Sequence, residues 1–219
     1  MKNEIVFRLK NMFIPGDKIS EWILKLSLIR NDLFYIHRSL IDYLDGTKKH
    51  TNGEFIYYFR LAASHYREAA KFIVKNNFPQ KDAFIDSLSD EAKCNYKLII
   101  DSCTPWETSF VRRIVKPIRD SFFHYDNRNF EEEYRELPDF FTRVSSTGKK
   151  RKEIDFVYAD ELAINLIFKG KSEQEIIGIL NELSEYLIGL ICFVDDAVGR
   201  YFIQNESKQA YVVRSKNGY

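Results

Sequence analysis

The sequence predicts an all-α fold, a bundle of long antiparallel helices, on three observations. Apolar residues recur at three- and four-residue spacing through long stretches, which is the period of one buried helical face. Only nine Gly and five Pro punctuate 219 residues, fewer turn formers than an all-β fold of this length needs. Apolar residues make up 45% of the chain, enough for one well-filled core without a disulfide framework or structural metal. The chain is therefore expected to be a single helical domain over residues 1–219.

The first long helix starts after Pro15-Gly16. Its stripe is Trp22, Ile23, Leu26, Ile29, Leu33, Ile36, Leu40, Ile41 and Leu44, and Asp45-Gly46 ends it, with Gly suited to the left-handed position past a helix end. A second helix covers roughly 54–76, where Ala62, Ala63, Ala69 and Ala70 allow another helix to come close. A third runs from about 90 to 102. Thr104-Pro105-Trp106-Glu107 then reads as a capping box with Pro in the first turn, opening a helix that continues through Val111, Ile114 and Ile118 towards His124. Pro117 lies inside it and is expected to bend or break it between 115 and 119. Residues 140–144 and 154–158 read as a small hairpin around Ser145-Ser146-Thr147-Gly148. Asp160 is expected to cap a short helix ending at Gly170. A last long helix covers about 172–205, with Ile176, Leu180, Leu183, Leu187, Ile191 and Val194 on one side, and the polar tail is expected to be loose.

Composition excludes several functions. Charged residues are 30% of the chain, but the net charge is only +1, so no global field draws it to nucleic acid or membrane and any such contact must be local. Cys94, Cys103 and Cys192 are odd in number and widely spaced, which predicts reduced core thiols of a cytoplasmic protein. The first ten residues hold no signal-peptide core, and the longest apolar run, 186–194, is too short to span a bilayer. No Gly-rich phosphate loop, HExxH, nucleophile elbow or EF-hand loop is present. Four histidines, His37, His50, His65 and His124, propose no metal site by spacing, so no cofactor is expected.

What remains is Arg followed by His at short range. This occurs as Arg30–His37, Arg60–His65 and Arg119–His124, and spacing alone does not choose among them. Context favours the last, because it follows the proline, where side chains are re-aimed and backbone groups freed. Asp120 and His124 are four apart and share a helical face, so the carboxylate is placed to fix the imidazole tautomer. Arg119 and His124 are five apart, about 140° around a helix. They do not converge naturally within one straight helix, and two copies meeting across a two-fold axis could combine them into one pocket. Arg112, Arg113, Lys116 and Arg128 add local positive charge. The basic run Lys149-Lys150-Arg151-Lys152 reads first as a solvated hairpin tip, and Tyr57, Tyr58 and Phe59 mainly as packing residues.

The segment Arg119-Asp120-Ser121-Phe122-Phe123-His124-Tyr125-Asp126 resembles the signature of HEPN domains, in which an Arg followed by a polar residue is closed by a His after four to six residues. More specifically the chain resembles bacterial abortive-infection proteins of the AbiU type. Residues 59–69, Phe-Arg-Leu-Ala-Ala-Ser-His-Tyr-Arg-Glu-Ala, are similar to their second helix, and 118–126 to their motif helix. The resemblance implies a helical core over about 15–130 with the C-terminal helices packed on it. It implies a homodimer and a metal-independent endoribonuclease, in the role of a toxin or phage-defence effector. It assigns Arg119 to the phosphate and the transition state, His124 to acid–base work and Asp120 to orienting the site. Arg112, Arg113, Lys116, Tyr125 and, from the second helix, Glu68 would contact substrate. RNA is the implied substrate, and a minimal nucleotidyltransferase is one implied antitoxin partner. The tyrosine that such a partner modifies in some relatives stands two residues after the His, where this chain has Asp126. The alternative is a catalytically silent HEPN-like module that binds a nucleotide or a protein.

Overall fold

The computed structural model describes residues 3–44, 52–123, 135, 145–146, 154–155, 157–205 and 211–214. Helix α1 is Leu9–Met12, α2 Lys18–Leu44, α3 Asn52–Lys75, α4 Lys81–Asp86 and α5 Asp90–Asp101. A 3-10 turn, Trp106–Thr108, and a π turn, Val111–Val115, lead into α6, Lys116–Phe123. Helix α7 is Val157–Ile167 and α8 is Glu173–Gln204. The all-α expectation holds for the body of the chain.

Helices α2 and α3 are antiparallel: Lys25 Nζ stands 5.9 Å from the centre of the Phe72 ring, and seven residues on, Asp32 Oδ2 lies 3.8 Å from His65 Nδ1, seven residues back. The four alanines of α3 are fully buried or nearly so, which lets its neighbours approach closely. Helix α8 lies against α2, α3 and α5 and buries Leu183, Leu187, Leu190, Phe193, Val194, Ala197 and Tyr201. Ser172 opens it with a complete capping box to Glu175. Gly189 sits where an added Cβ would meet the Leu98 side chain at 2.9 Å, so its bare backbone sets the spacing to α5.

Three buried polar arrangements lock this core. The Tyr201 hydroxyl lies 2.6 Å from both Ser20 Oγ and the Met12 carbonyl, and its ring stacks on Phe13. Tyr66 donates to Ser102 Oγ at 2.7 Å, joining α3 to the end of α5. The Lys81 ammonium, 3% exposed, donates to the Ile73 and Asn76 carbonyls at 2.7 Å and lies between the Trp22 and Tyr96 rings. It thereby satisfies carbonyls that a helix end leaves without partners, while burial pulls its pKa below the ordinary lysine value.

Several expectations need correcting. The hairpin exists, but its paired residues are Ser145–Ser146 (β2) with Ile154–Asp155 (β3). Residues 140–144 lie outside the described residues, and 157–158 belong to α7, where the apolar stripe continues at helical spacing. Asp160 accordingly sits in the first turn of α7 rather than capping it. Part of the tail is ordered: Tyr211–Arg214 (β4) pairs antiparallel with Asn3–Val6 (β1), since Tyr-Val-Val suits a strand. Only Cys103 is a core thiol, while Cys94 and Cys192 are exposed. Among the described residues, α8 has the length and composition to cross a membrane, which the run 186–194 alone understated. Its buried stripe packs on α2 and α5 as a core helix does.

Burial pushes the Tyr66 phenol far above the ordinary tyrosine value. Its folded pKa is raised, so its contribution is complete below the unfolded pKa of about 10 and is lost as pH rises past it, where only the unfolded chain ionises. Tyr66→Phe should cost about 1 kcal/mol at pH 7 for the lost hydrogen bond. Above about pH 11 the variant's stability should fall less steeply than wild type by about 1.4 kcal/mol per pH unit. Urea unfolding at pH 7 to 11.5 measures both, and parallel alkaline limbs would contradict the assignment.

Candidate functional site

The motif helix starts differently from the expectation. Thr104 does not cap it: its hydroxyl donates back to the Ile100 carbonyl at 2.9 Å, at the end of α5. Pro105 is extended, and the turn after it is 3-10. A hydroxyl next to a finished helix finds a free carbonyl closer than the amides of the next one. Ser109 takes over the capping. Its Oγ accepts from the Arg112 amide at 3.1 Å and donates to the Trp106 carbonyl at 2.9 Å, and its carbonyl accepts from the Arg113 amide.

The helical path from Phe110 to Phe123 is then unbroken. The irregularity attributed to 115–119 lies one turn earlier, in the π turn Val111–Val115, where the Lys116 amide reaches the Val111 carbonyl. A proline ring meets the carbonyl four residues back. For Pro117 that is Arg113, inside the π turn. The proline itself falls in the first turn of α6, where a missing N–H is tolerated. So α6 runs on through Arg119 and Asp120, and the local reason for preferring this pair becomes the π turn rather than a break.

Around Asp120 the described side chains converge. Lys116 Nζ is 2.8 Å from Oδ2 and Arg119 Nη1 3.0 Å from Oδ1. Partial burial pushes the carboxyl up, but the hydrogen bonds and charges of Lys116 and Arg119 outweigh it and hold the group below the usual carboxylate range. Asp120 is thus ionised and occupied by two cations, not held ready for an imidazole alone. Arg119 is half-buried, with 30% of its side chain exposed. His124 and Tyr125 lie outside the described residues.

The outlying candidates scatter. Arg112 lies over the Trp106 ring at 5.6 Å. Arg113 Nε donates to the Thr108 carbonyl at 2.9 Å and lines a small cleft of about 200 Å³ with Pro117, Leu166, Lys171 and Ile179. Glu68 is on α3, where it pairs with Arg67 at 2.6 Å and Lys71 at 3.9 Å.

In the other Arg–His pairs, Arg30 and His65 have structural partners. Arg30 ties α2 to α8 by a two-pronged pair with Asp195, at 2.7 and 3.2 Å. His37 is half-buried, and burial lowers its pKa. His65 stands near Asp32 at the α2–α3 seam. No group of three or more His, Cys, Asp or Glu gathers to hold a metal among the described residues.

Sequence reasoning missed a second constellation. Arg67, Lys71 and Lys75 recur every fourth residue on α3, and that row was visible in the sequence. With Val74, Cys103, Trp106 and Val111 they line a cleft of about 400 Å³. Comparison of the chain with family models, with curated proteins and with solved structures finds no match.

The capping exchange is testable. Ser109→Ala should lower stability by about 1 kcal/mol, the usual value of an N-cap hydroxyl. Thr104→Ala should cost less, because an exposed hydroxyl bonded back to a helix carbonyl contributes little. Denaturant unfolding of both variants checks this, and a larger loss for Thr104→Ala would restore the box at 104–107.

Proposed function

We propose that the chain is a HEPN-like, metal-independent endoribonuclease that acts in the cytoplasm as a homodimer, in the role of a toxin or abortive-infection effector, with an antitoxin such as a minimal nucleotidyltransferase as one kind of partner. The observation that carries this reading is the run Arg119 to His124, whose Arg119 end lies on a helix that follows a π turn and gathers Lys116 and Asp120 at hydrogen-bond distance. A long-helix bundle with α2 and α3 antiparallel is consistent with the resemblance stated above.

The chemistry follows from the residue types. The Arg119 fork suits two oxygens of one phosphate. Substrate phosphate would compete with Asp120 for it, and Lys116 would keep the released carboxylate paired. The His124 imidazole takes the proton of a ribose 2′-OH. The 2′-oxygen bonds to phosphorus, the bond to the 5′-oxygen breaks, and that oxygen leaves with a proton from water, which His124 restores by giving back the proton it took. A 2′,3′-cyclic phosphate and a 5′-hydroxyl remain. Fixed positive charge at the phosphate favours the crowded anionic transition state. Five residues of spacing correspond to about 140° around an ideal helix, so in this reading the pocket joins Arg119 of one copy to His124 of another.

A second reading, the silent module, is favoured by one specific observation: Asp120 already occupies both Arg119 and Lys116 within the chain. Cleavage assays separate the two. Activity should survive EDTA and leave the cyclic phosphate. His124→Ala should lose about 10²–10⁴-fold, and Arg119→Lys should also lose heavily because an ammonium lacks the fork. His65→Ala and His37→Ala should change stability more than rate. Light scattering at micromolar concentration should give a dimer, burying about 1,000 Å² or more around the motif helix. EDTA-sensitive cleavage, or cleavage lost in His65→Ala but kept in folded His124→Ala, would overturn the assignment. Wild type that cleaves no RNA moves the conclusion to the silent module.

A further inference from the structure

The cleft between α3 and the Trp106 turn has the composition of a ligand site, and none of its lining residues is given a role in the ribonuclease reading. Its volume, about 400 Å³, falls within the roughly 300–1,000 Å³ of small-molecule pockets. One wall is the cationic row Arg67, Lys71 and Lys75, a single face of α3 at four-residue spacing. The indole of Trp106, 41% exposed, lines the same cleft, with the Arg112 guanidinium 5.6 Å from its ring. Val74, Val111 and Cys103 add apolar lining.

Charge at the cleft is unbalanced. Three of its lining residues are cations, Arg67, Lys71 and Lys75, and none is a carboxylate; Glu68 beside them reaches Arg67 and Lys71. Arg67 is held in place, with 16% of its side chain exposed. Its Nη1 is taken by Glu68, and its Nε finds no acceptor among the described residues. The Cys103 thiol is pushed up by burial, so it is an apolar wall here and not a nucleophile.

Positive charge and an exposed aromatic ring in one cleft select an anion with a flat ring. A bare phosphate would leave Trp106 and the valines unused, and an uncharged aromatic would leave the lysine row unused. We infer that this cleft binds a phosphorylated nucleoside, with the base stacked on Trp106 and the phosphate against Arg67, Lys71 and Lys75. The site shares neither Arg119, Asp120 nor His124, so it does not rest on the ribonuclease reading. The same chemistry is offered by a free nucleotide and by one residue of an RNA strand.

The test titrates the full chain with adenosine 5′-monophosphate, adenosine, inorganic phosphate and a short oligoadenylate, by calorimetry and by tryptophan fluorescence. Trp22 is buried and Trp106 exposed, so a change in the exposed component reports the cleft. The His124→Ala chain is titrated in parallel, so that binding is read without cleavage. The monophosphate should bind and perturb Trp106, with adenosine and phosphate each about tenfold weaker or more. Trp106→Ala should weaken it by roughly 5- to 150-fold, the range for one base stacked on an aromatic side chain. Lys71→Glu and Lys75→Glu, both at exposed positions, should weaken it by about tenfold each with unchanged circular dichroism.

Oligoadenylate binding more tightly than the monophosphate would assign the site to an RNA strand. Equal or weaker binding would assign it to a free nucleotide. No binding of either at millimolar concentration, equal binding of plain phosphate, or binding unchanged in Trp106→Ala and in both lysine variants would overturn the proposal. Loss of cleavage in His124→Ala with nucleotide binding retained would leave this site standing on its own.

Discussion

Burial of one face of α8 is the constraint on which the other elements depend. Leu187, Leu190, Phe193, Val194 and Ala197 are fully removed from solvent, and each large apolar side chain so buried contributes about 1.5–3 kcal/mol. The face is covered by α2 on one side and α5 on another, with α3 touching it through Tyr66 and Tyr186. Helix α3 in turn carries α6 and α7. By contrast, the Arg30–Asp195 pair that also joins α2 to α8 is open to solvent at its carboxylate, and exposed pairs are typically worth about 0–1 kcal/mol. Apolar burial positions the helices. The polar contacts choose among ways of packing them: Tyr201 fixes the chain before α2 against the end of α8, and Lys81 closes the end of α3.

The same hierarchy sets up the candidate site. Val111, Val115 and Ile118 bury one face of the motif segment, so the opposite face carrying Arg112, Arg113, Lys116 and Arg119 is left towards solvent. The π turn and Ser109 decide where that face begins. The lowered pKa of Asp120 states the energetics locally: its charged form is stabilised by Lys116 and Arg119. Any phosphate that takes Arg119 must compete with that carboxylate. In the proposed enzyme this competition keeps the guanidinium ordered before substrate arrives, and in the silent module it is the resting state of a structural triad.

Legibility in the sequence followed range. Periodicity and local punctuation placed α2, α3, α5 and α8 to within a few residues, because a stripe such as Leu183, Leu187, Val194 and the Ser172–Glu175 box are local facts. What failed depended on competition between near neighbours. Thr104-Pro105-Trp106-Glu107 has the letters of a capping box, but the Ile100 carbonyl was closer to the hydroxyl than the next helix was. Pro117 signalled irregularity, yet the backbone accommodated it one turn upstream. Asp120 was assigned to His124 by four-residue spacing, and the same spacing gave it Lys116. The Tyr201–Met12 bond spans 189 positions, a separation that no pattern encodes. The Arg67, Lys71 and Lys75 row was readable, but that Trp106 shares its cleft came only with the fold.

Two copies sharing one pocket is the claim on which the functional account turns, and subunit complementation tests it most directly. Arg119→Ala and His124→Ala chains are each purified, shown to be inactive, then mixed, unfolded and refolded together. If Arg119 of one copy works with His124 of the other, half of the dimers are mixed and each regains one of two pockets. Cleavage should then return to about a quarter of the wild-type rate. A mixture that stays as inactive as either parent, beside a wild type that cleaves RNA, would contradict the account.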